Sequence, residues 1–395
     1  MTDIVLEKAP LPRAPRPAVP PRVLGRLEGE PGSPTLLCLG SVHGNEPSGV
    51  LALRRVLAAL EADPAGRVGG FVALAGNRRA IESGRRFVSS DLNRHWQLER
   101  VERLRAASLE TLEGEDAELR ELDALLLELA ERSTGPNFAV DLHTTSGEGA
   151  CFVVLDDSLA NREFALDVPV TVVVGLEEEL SGTVTSHMDS LGFQVFGFEA
   201  GQHDDPSSVD RAAAAVWIAL EASGVLAVGS RPEVAAARDL LERASGDLPH
   251  VVEVTHRHPV RDCDDFRMLG GFVNFQPVAE NQLLAHDCDG EVRTPRGGMI
   301  LMPLYQRQGE DGFFIVQVVK PLWLAVSKAL RNLDAQRILP ILPGVRRHSE
   351  RADTFVVDQK TARFLARELF HLLGYRRTGE LQGRFLIMTR RHPHG

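Results

Sequence analysis

No run of the sequence approaches the ~18 consecutive apolar residues that a membrane-crossing helix needs, and the first 25 residues carry prolines at 10, 12, 15, 17, 20 and 21 where a secretory leader needs an unbroken apolar stretch. A soluble, unexported, cytoplasmic protein is expected. Cysteine is sparse: Cys38, Cys151, Cys263 and Cys288 lie far apart with no C-x-x-C pair, which argues against a disulfide framework or a sulfur-ligated metal. Basic charge is also in deficit. A formal net charge of −11 repels phosphate backbones and anionic lipid surfaces, so neither nucleic acid nor membrane is an expected partner. Internal repeats and low-complexity blocks are missing apart from the proline-rich start.

What is present is the composition of an ordinary folded chain, 43% hydrophobic and 25% charged over 395 residues. That length exceeds what a single core usually supports. Four units are expected: a proline-rich arm over 1–25, a catalytic domain over 26–230, a β-rich domain over 233–320 and an α+β extension over 321–395. In the second unit TLLCLGS, GGFVALAG, NFAVDLH, ACFVVLD, VPVTVVVG and FQVFGFEA read as strands. Helices are expected over Gly49–Leu60, Leu119–Ala130 and Val209–Ala222. The fold class is therefore α/β, an open sheet with helices on both faces. Residues 233–320 read as short strands, and the last 75 as two helices, LWLAVSKALRNL and TARFLARELFHLLG, ending in a hairpin. The apolar stripe Phe364, Leu365, Leu369, Phe370 and Leu373 is expected to pack on the catalytic domain.

Chemistry concentrates at predicted strand ends. GSVHGNEPSG places His43 and Glu46 where the chain turns out of a strand, and glycines let the backbone crowd a ligand there. Catalytic zinc takes three protein ligands with nitrogen and oxygen donors, so a third is needed, and His143 in VDLHTTSG is the candidate. SSDLNRHW offers Asp91, Asn93 and Arg94, with Arg86 upstream. Arginine's rigid fork suits a carboxylate. Glu199 in FGFEAGQ sits among apolar neighbours, where desolvation raises a carboxyl's proton affinity. Asp141 is placed on the strand face opposite His143, orienting neighbours rather than binding metal. His256 and His258 share a strand face that a metal or plain solvent exposure explains.

The ordered set GSVHGNEPSGV, GNRRA, DLNR, DLHTTSG and FEAGQ, spanning residues 36–202, resembles the succinylglutamate desuccinylase and aspartoacylase family, relatives of the zinc carboxypeptidases. The resemblance implies a zinc-carboxypeptidase-like mixed sheet. It implies one Zn²⁺ per chain on His43, Glu46 and His143, with Glu199 as catalytic carboxylate. It also implies that Arg86 polarises the scissile carbonyl, and that Asn93 and Arg94 hold a substrate carboxylate. The implied reaction is removal of an acyl group from an N-acyl amino acid or related small amide, with self-association left open. Asp189 stands ten residues before Glu199, where aspartoacylases carry a substrate-binding arginine, so a second acidic group on the substrate is expected to be repelled. Two other readings use the same ligands: a zinc carboxypeptidase acting on peptides through an open groove, and a noncatalytic zinc-binding scaffold.

Overall fold

The computed structural model describes residues 19–320 and, beyond them, 326–327, 329–330, 339–348, 354–358, 373, 375–381 and 385–389. Most of the proline-rich arm and most of both predicted C-terminal helices, including Phe364, Leu365, Leu369 and Phe370, lie outside the described residues. The chain opens with β1 (Val23–Leu27), β2 (Thr35–Gly40), α1 (Ser48–Ala62), β3 (Gly70–Ala75), α2 (Arg78–Ser83), α3 (Leu98–Ala106) and α4 (Gly114–Arg132). There follow β4 (Asn137–Thr145), β5 (Phe152–Val154), α5 (Leu159–Ala165), β6 (Thr171–Val174), α6 (Leu176–Glu179), α7 (Val184–Ser190), β7 (Gln194–Gln202), α8 (Ser207–Ala222) and α9 (Pro232–Ser245). The strands β8 (Val251–Pro259), β9 (Arg267–Met268), β10 (Pro277–Val278), β11 (Leu283–Asp287), β12 (Gly290–Arg293), β13 (Gly298–Leu301) and β14 (Asp311–Val318) come next. Last are β15 (Val345–Arg347), β16 (Thr354–Asp358), β17 (Arg376–Leu381) and β18 (Phe385–Thr389).

An 11-stranded mixed sheet in the order β1-β3-β2-β4-β7-β5-β6-β8-β14-β13-β10 organises the molecule. Its centre is parallel: β2 pairs with β3 and β4, and β4 with β7. Strands covered on both faces read as continuous apolar runs, as Leu36 to Leu39 do at 0% exposure. One face packs α1 and α8 through Leu53, Val56, Ala215 and Ile218. The other packs α3, α4 and α7 through Val101, Leu119, Leu122 and Met188. The expected α/β class with helices on both faces is what is found. Smaller antiparallel sheets complete it, β12-β11-β9 and β15-β16-β18-β17, the latter containing the expected hairpin. Helix α9 is an addition to the sequence reading, which took the chain from 233 onward as short strands. It buries Val234, Ala237 and Leu241, a three- and four-residue spacing that turns them to one side. No helix among the described residues is long and apolar enough to cross a membrane, and all four cysteines are free.

A buried ion pair ties α4 to the neighbouring helices. Asp123, with no exposed side-chain surface, accepts Arg105 Nε at 2.7 Å and His187 Nε2 at 2.9 Å. Burial alone raises its pKa, but Arg105 and His187 outweigh that and bring it to about 2. A carboxylate depressed below its unfolded value near 3.9 adds stability above that pH, and the contribution is lost as pH falls through the folded value. Asp123→Asn is expected to cost about 3 kcal/mol in urea unfolding at pH 7, with the gap narrowing from pH 4 downward. A gap that stays constant between pH 7 and 3 would count against this account.

Candidate active site

The site forms where β2, β4 and β7 end side by side, the position at which open α/β sheets bind ligands. Past β2 the backbone turns sharply. Ser41 adopts a left-handed φ of 60°, and its hydroxyl donates to the Glu46 carbonyl at 2.7 Å. Gly44 is required for space, since a Cβ there would lie 2.0 Å from the Ala80 carbonyl carbon. This turn delivers His43 and Glu46, at 3% and 1% exposure. Parallel pairing then brings β4 alongside β2 and sets Glu199 of β7 directly opposite His143 of β4.

Two imidazoles converge on one carboxylate. His43 Nδ1 lies 2.9 Å from Glu46 Oε1, and His143 Nδ1 lies 3.1 Å from Glu46 Oε2. One ligand atom from each of the three residues falls within 4.8 Å of the others. The far ring nitrogens are both taken: His43 Nε2 faces Asp91 at 3.1 Å, and His143 Nε2 faces Asp141 at 2.6 Å. Carboxylates thus flank both nitrogens of each ring, and with a cation taken up on the Nδ1 side Asp91 and Asp141 would hold the proton on Nε2, the usual arrangement behind a metal-binding histidine. The donor set of two imidazole nitrogens and one carboxylate, each buried, fits a zinc ion. Asp141 thus sits on the same side as His143, which corrects the sequence expectation; residues two apart in a strand share a face.

Arg86 donates through Nε and Nη2 to Asp91 at 3.0 and 2.9 Å, and its Nη1 lies 3.5 Å from Glu46. Asp91 is buried, which raises its proton affinity, yet the Arg86 guanidinium and His43 hold its pKa well below the carboxylate range. The loop carrying Arg86 is pinned from α4, where Glu115 accepts the amides of Val88 at 2.7 Å and Ser89 at 3.0 Å. Glu199 is 8% exposed and its Oε2 is buried without a hydrogen-bond partner. Burial pushes its carboxyl up to about 8, with His143 and Arg86 opposing and Glu46 and Asp141 reinforcing. A cation on the triad would pull it back down.

The seven residues given metal, catalytic or substrate roles from the sequence, His43, Glu46, Arg86, Asn93, Arg94, His143 and Glu199, line one cleft of about 990 Å³, counting the solvent at its mouth. Asn93 and Arg94 are already engaged: Asn93 Oδ1 accepts the Val184 amide at 2.8 Å, and Arg94 Nη2 donates to Asp311 at 2.8 Å. Asp189 is absent from the lining and accepts from Asn161 Nδ2 at 2.9 Å. It stands outside the cleft, against the expectation that it faces the substrate; the ten residues to Glu199 run through the end of α7, the turn after it and most of β7. His256 and His258 pack on Phe313, the latter stacked at 5.1 Å, and the triad is the only cluster of three or more metal-compatible side chains among the described residues.

Sequence reasoning missed the segment that closes the cleft. Residues 302–310, between β13 and β14, reach back across it. The Asn45 amide and His203 Nε2 meet Gln306 Oε1 at 2.8 and 3.1 Å, the Arg86 amide donates to Gln308 at 3.2 Å, and Ser146 donates to the Pro303 carbonyl at 3.1 Å. Nothing local in MPLYQRQGE marks it as part of a site.

Residues 32–219, just under half the chain, match the family model of the succinylglutamate desuccinylase/aspartoacylase catalytic domain. No curated protein matches the sequence. Among solved structures, a succinylglutamate desuccinylase/aspartoacylase from Rhodobacter sphaeroides superposes with a TM-score of 0.54 at 18% identity, covering 75% of this chain and 88% of that one. The product-bound ectoine utilization protein EutE (DoeB) from Ruegeria pomeroyi gives 0.51 at 19% identity over 74% and 87%. A succinylglutamate desuccinylase from Vibrio parahaemolyticus gives 0.50 at 17% over 75% and 86%. At these identities the likeness establishes the fold.

Proposed function

From a chain whose residues 32–219 carry a succinylglutamate desuccinylase/aspartoacylase catalytic domain, we propose a zinc-dependent amidohydrolase that removes the acyl group from an N-acyl amino acid or related small amide. The observation that carries the reading is the convergence of His43 Nδ1, His143 Nδ1 and the Glu46 carboxylate beside the unpartnered Glu199 Oε2. His43, Glu46 and His143 would hold the metal, one ion per chain. Bound zinc supplies Lewis-acid polarisation of a carbonyl and a more acidic water.

The chain's own residues do the rest. Glu199 takes a proton from the attacking water at Oε2 and returns it to the departing amine. Arg86, held in a fixed orientation by Asp91, stabilises charge developing on the carbonyl oxygen. Removing such a donor typically costs about 100- to 1000-fold in rate. Asn93 and Arg94 form the wall against which the substrate is oriented. Segment 302–310 restricts access, which favours short substrates over a peptide in an open groove.

The test is hydrolysis of a library of N-acylated amino acids and amines by the zinc-loaded protein and its chelated form. Release of free amine is expected only with zinc, and faster from N-acyl compounds than from C-terminal peptide bonds. Faster peptide cleavage would favour the carboxypeptidase reading, and bound zinc without any turnover the scaffold reading.

A further inference from the structure

Part of the cleft is apolar. Among the described residues, Val154, Leu176, Leu180, Met302 and Leu304 line it, and four of them form one continuous wall. Leu176 belongs to a buried core that includes Phe152 and Phe314, and Val154, Leu180 and Met302 pack against the same core. The wall adjoins the proposed chemistry. Strand β5 runs antiparallel to β7 with Phe152 opposite Glu199 and Val154 opposite Gly197, so Val154 shares a sheet face with Glu199 and lies diagonally from it, a separation of about 7 to 8 Å. Gly197 also lines the cleft and keeps the space beside Val154 open, since a Cβ there would come within 2.7 Å of Val154 Cγ2.

The wall is held in place by polar contacts outside it. Met302 adopts a left-handed φ of 49°, and its amide donates at 2.7 Å to Oδ1 of the buried Asn274, whose Nδ2 donates at 3.1 Å to Thr145 Oγ1 at the end of β4. Leu304 donates its amide to the Gly312 carbonyl at 2.9 Å. The connection between β13 and β14 thus carries two apolar side chains to the cleft and restrains both. An amide whose carbonyl lies within reach of the unpartnered Glu199 Oε2 has this wall beside it. A hydrocarbon group seated there exchanges water for apolar contact, whereas a charged group loses hydration and finds no partner in the wall.

We infer that the substrate carries a short, uncharged hydrocarbon group next to its scissile amide, and that Val154, Leu176, Leu180, Met302 and Leu304 form the subsite that selects it. The inference rests on the deacylase reading. Pockets that recognise small molecules commonly combine such an apolar wall with a few fixed polar groups.

Four amides test it. N-acetyl-L-leucine and N-isovalerylglycine carry the same isobutyl group on the amine and on the acyl side, N-acetylglycine carries none, and N-acetyl-L-aspartate carries a charged group instead. With the zinc-loaded protein, one of the two isobutyl compounds is expected to exceed both of the others by at least about tenfold in kcat/KM, the scale on which an apolar pocket reads a methylene or more. Which of the two it is assigns the subsite to the acyl or the amine side. Leu180→Ser and Leu304→Ser, at half-buried positions, should each cut the ratio to N-acetylglycine by about threefold or more, with circular dichroism verifying the fold. A smaller ratio in the parent protein, N-acetyl-L-aspartate ahead of both isobutyl compounds, or a ratio untouched by either variant would overturn the inference while leaving deacylation standing. If none of the four, nor any other N-acyl compound, is cleaved, the deacylase reading fails. The apolar subsite is then judged by calorimetry: isovalerate binding at least about tenfold more tightly than acetate supports it, and a smaller difference overturns it.

Discussion

Glu199→Gln is expected to lower kcat by about 10²- to 10⁴-fold, the range that a positioned acid-base group contributes, with zinc content unchanged. Glutamine keeps the shape of the side chain where β4 and β7 run in register and Glu199 lies opposite His143, so packing gives no reason for the fold to suffer. What it loses is the ability to accept a proton at Oε2, the buried atom with no partner in the protein. Glu199 is also outside the three residues whose donor atoms converge, so metal binding should not follow the rate down. Metal analysis and steady-state kinetics on the same sample check both halves. Activity within about threefold of the parent would remove Glu199 from the proton-transfer role, and zinc lost along with activity would make it a ligand.

His143→Ala is expected to abolish stoichiometric zinc and reduce deacylation to background. The reason is arithmetic: a three-residue site that loses one donor leaves a single imidazole and a carboxylate, below what zinc normally takes from a protein. The comparison variant is Asp141→Asn. Asp141 touches His143 Nε2 at 2.6 Å and is wholly buried, so the change weakens the ring's basicity and orientation without removing a donor. Changes of this kind typically cost 10- to 100-fold in metal affinity. Competition with a chromophoric chelator measures both, and circular dichroism verifies that each variant folds. Equal zinc affinity in all three proteins would mean that the metal, if any, sits elsewhere.

Much of this was legible in the residues because the chemistry sits at strand ends, and strand ends announce themselves. TLLCLGS followed by HGNE has the signature of a doubly covered strand stopping at a polar turn, and β2 does stop at Gly40. The helix expected over Leu119–Ala130 exists and is longer, because α4 begins at Gly114 with Glu115 and Asp116 in its first turn, where carboxylates favour a helix start. Other features depended on distances along the chain that no local pattern encodes. Arg94 reads as a guanidinium on a turn, and nothing near it in sequence announces that Asp311, contributed by a strand more than 200 residues later, pairs with its Nη2. Glu115 reads as an ordinary helix-start acid, yet it supports the loop of Arg86. Asp189 illustrates the opposite failure, since counting along a motif assumes the same turn geometry, and α7 points that residue to Asn161 instead.

Segment 302–310 has a consequence for how this protein could diversify. Its neighbours β13 and β14 are anchored in the sheet, while the residues proposed for bond breaking belong to the turn after β2, to β4 and β7, and to the loop of Arg86. Selection on that short connection could therefore exchange the molecules admitted without disturbing how they are cut, making it a natural place to graft new preferences onto an old reaction.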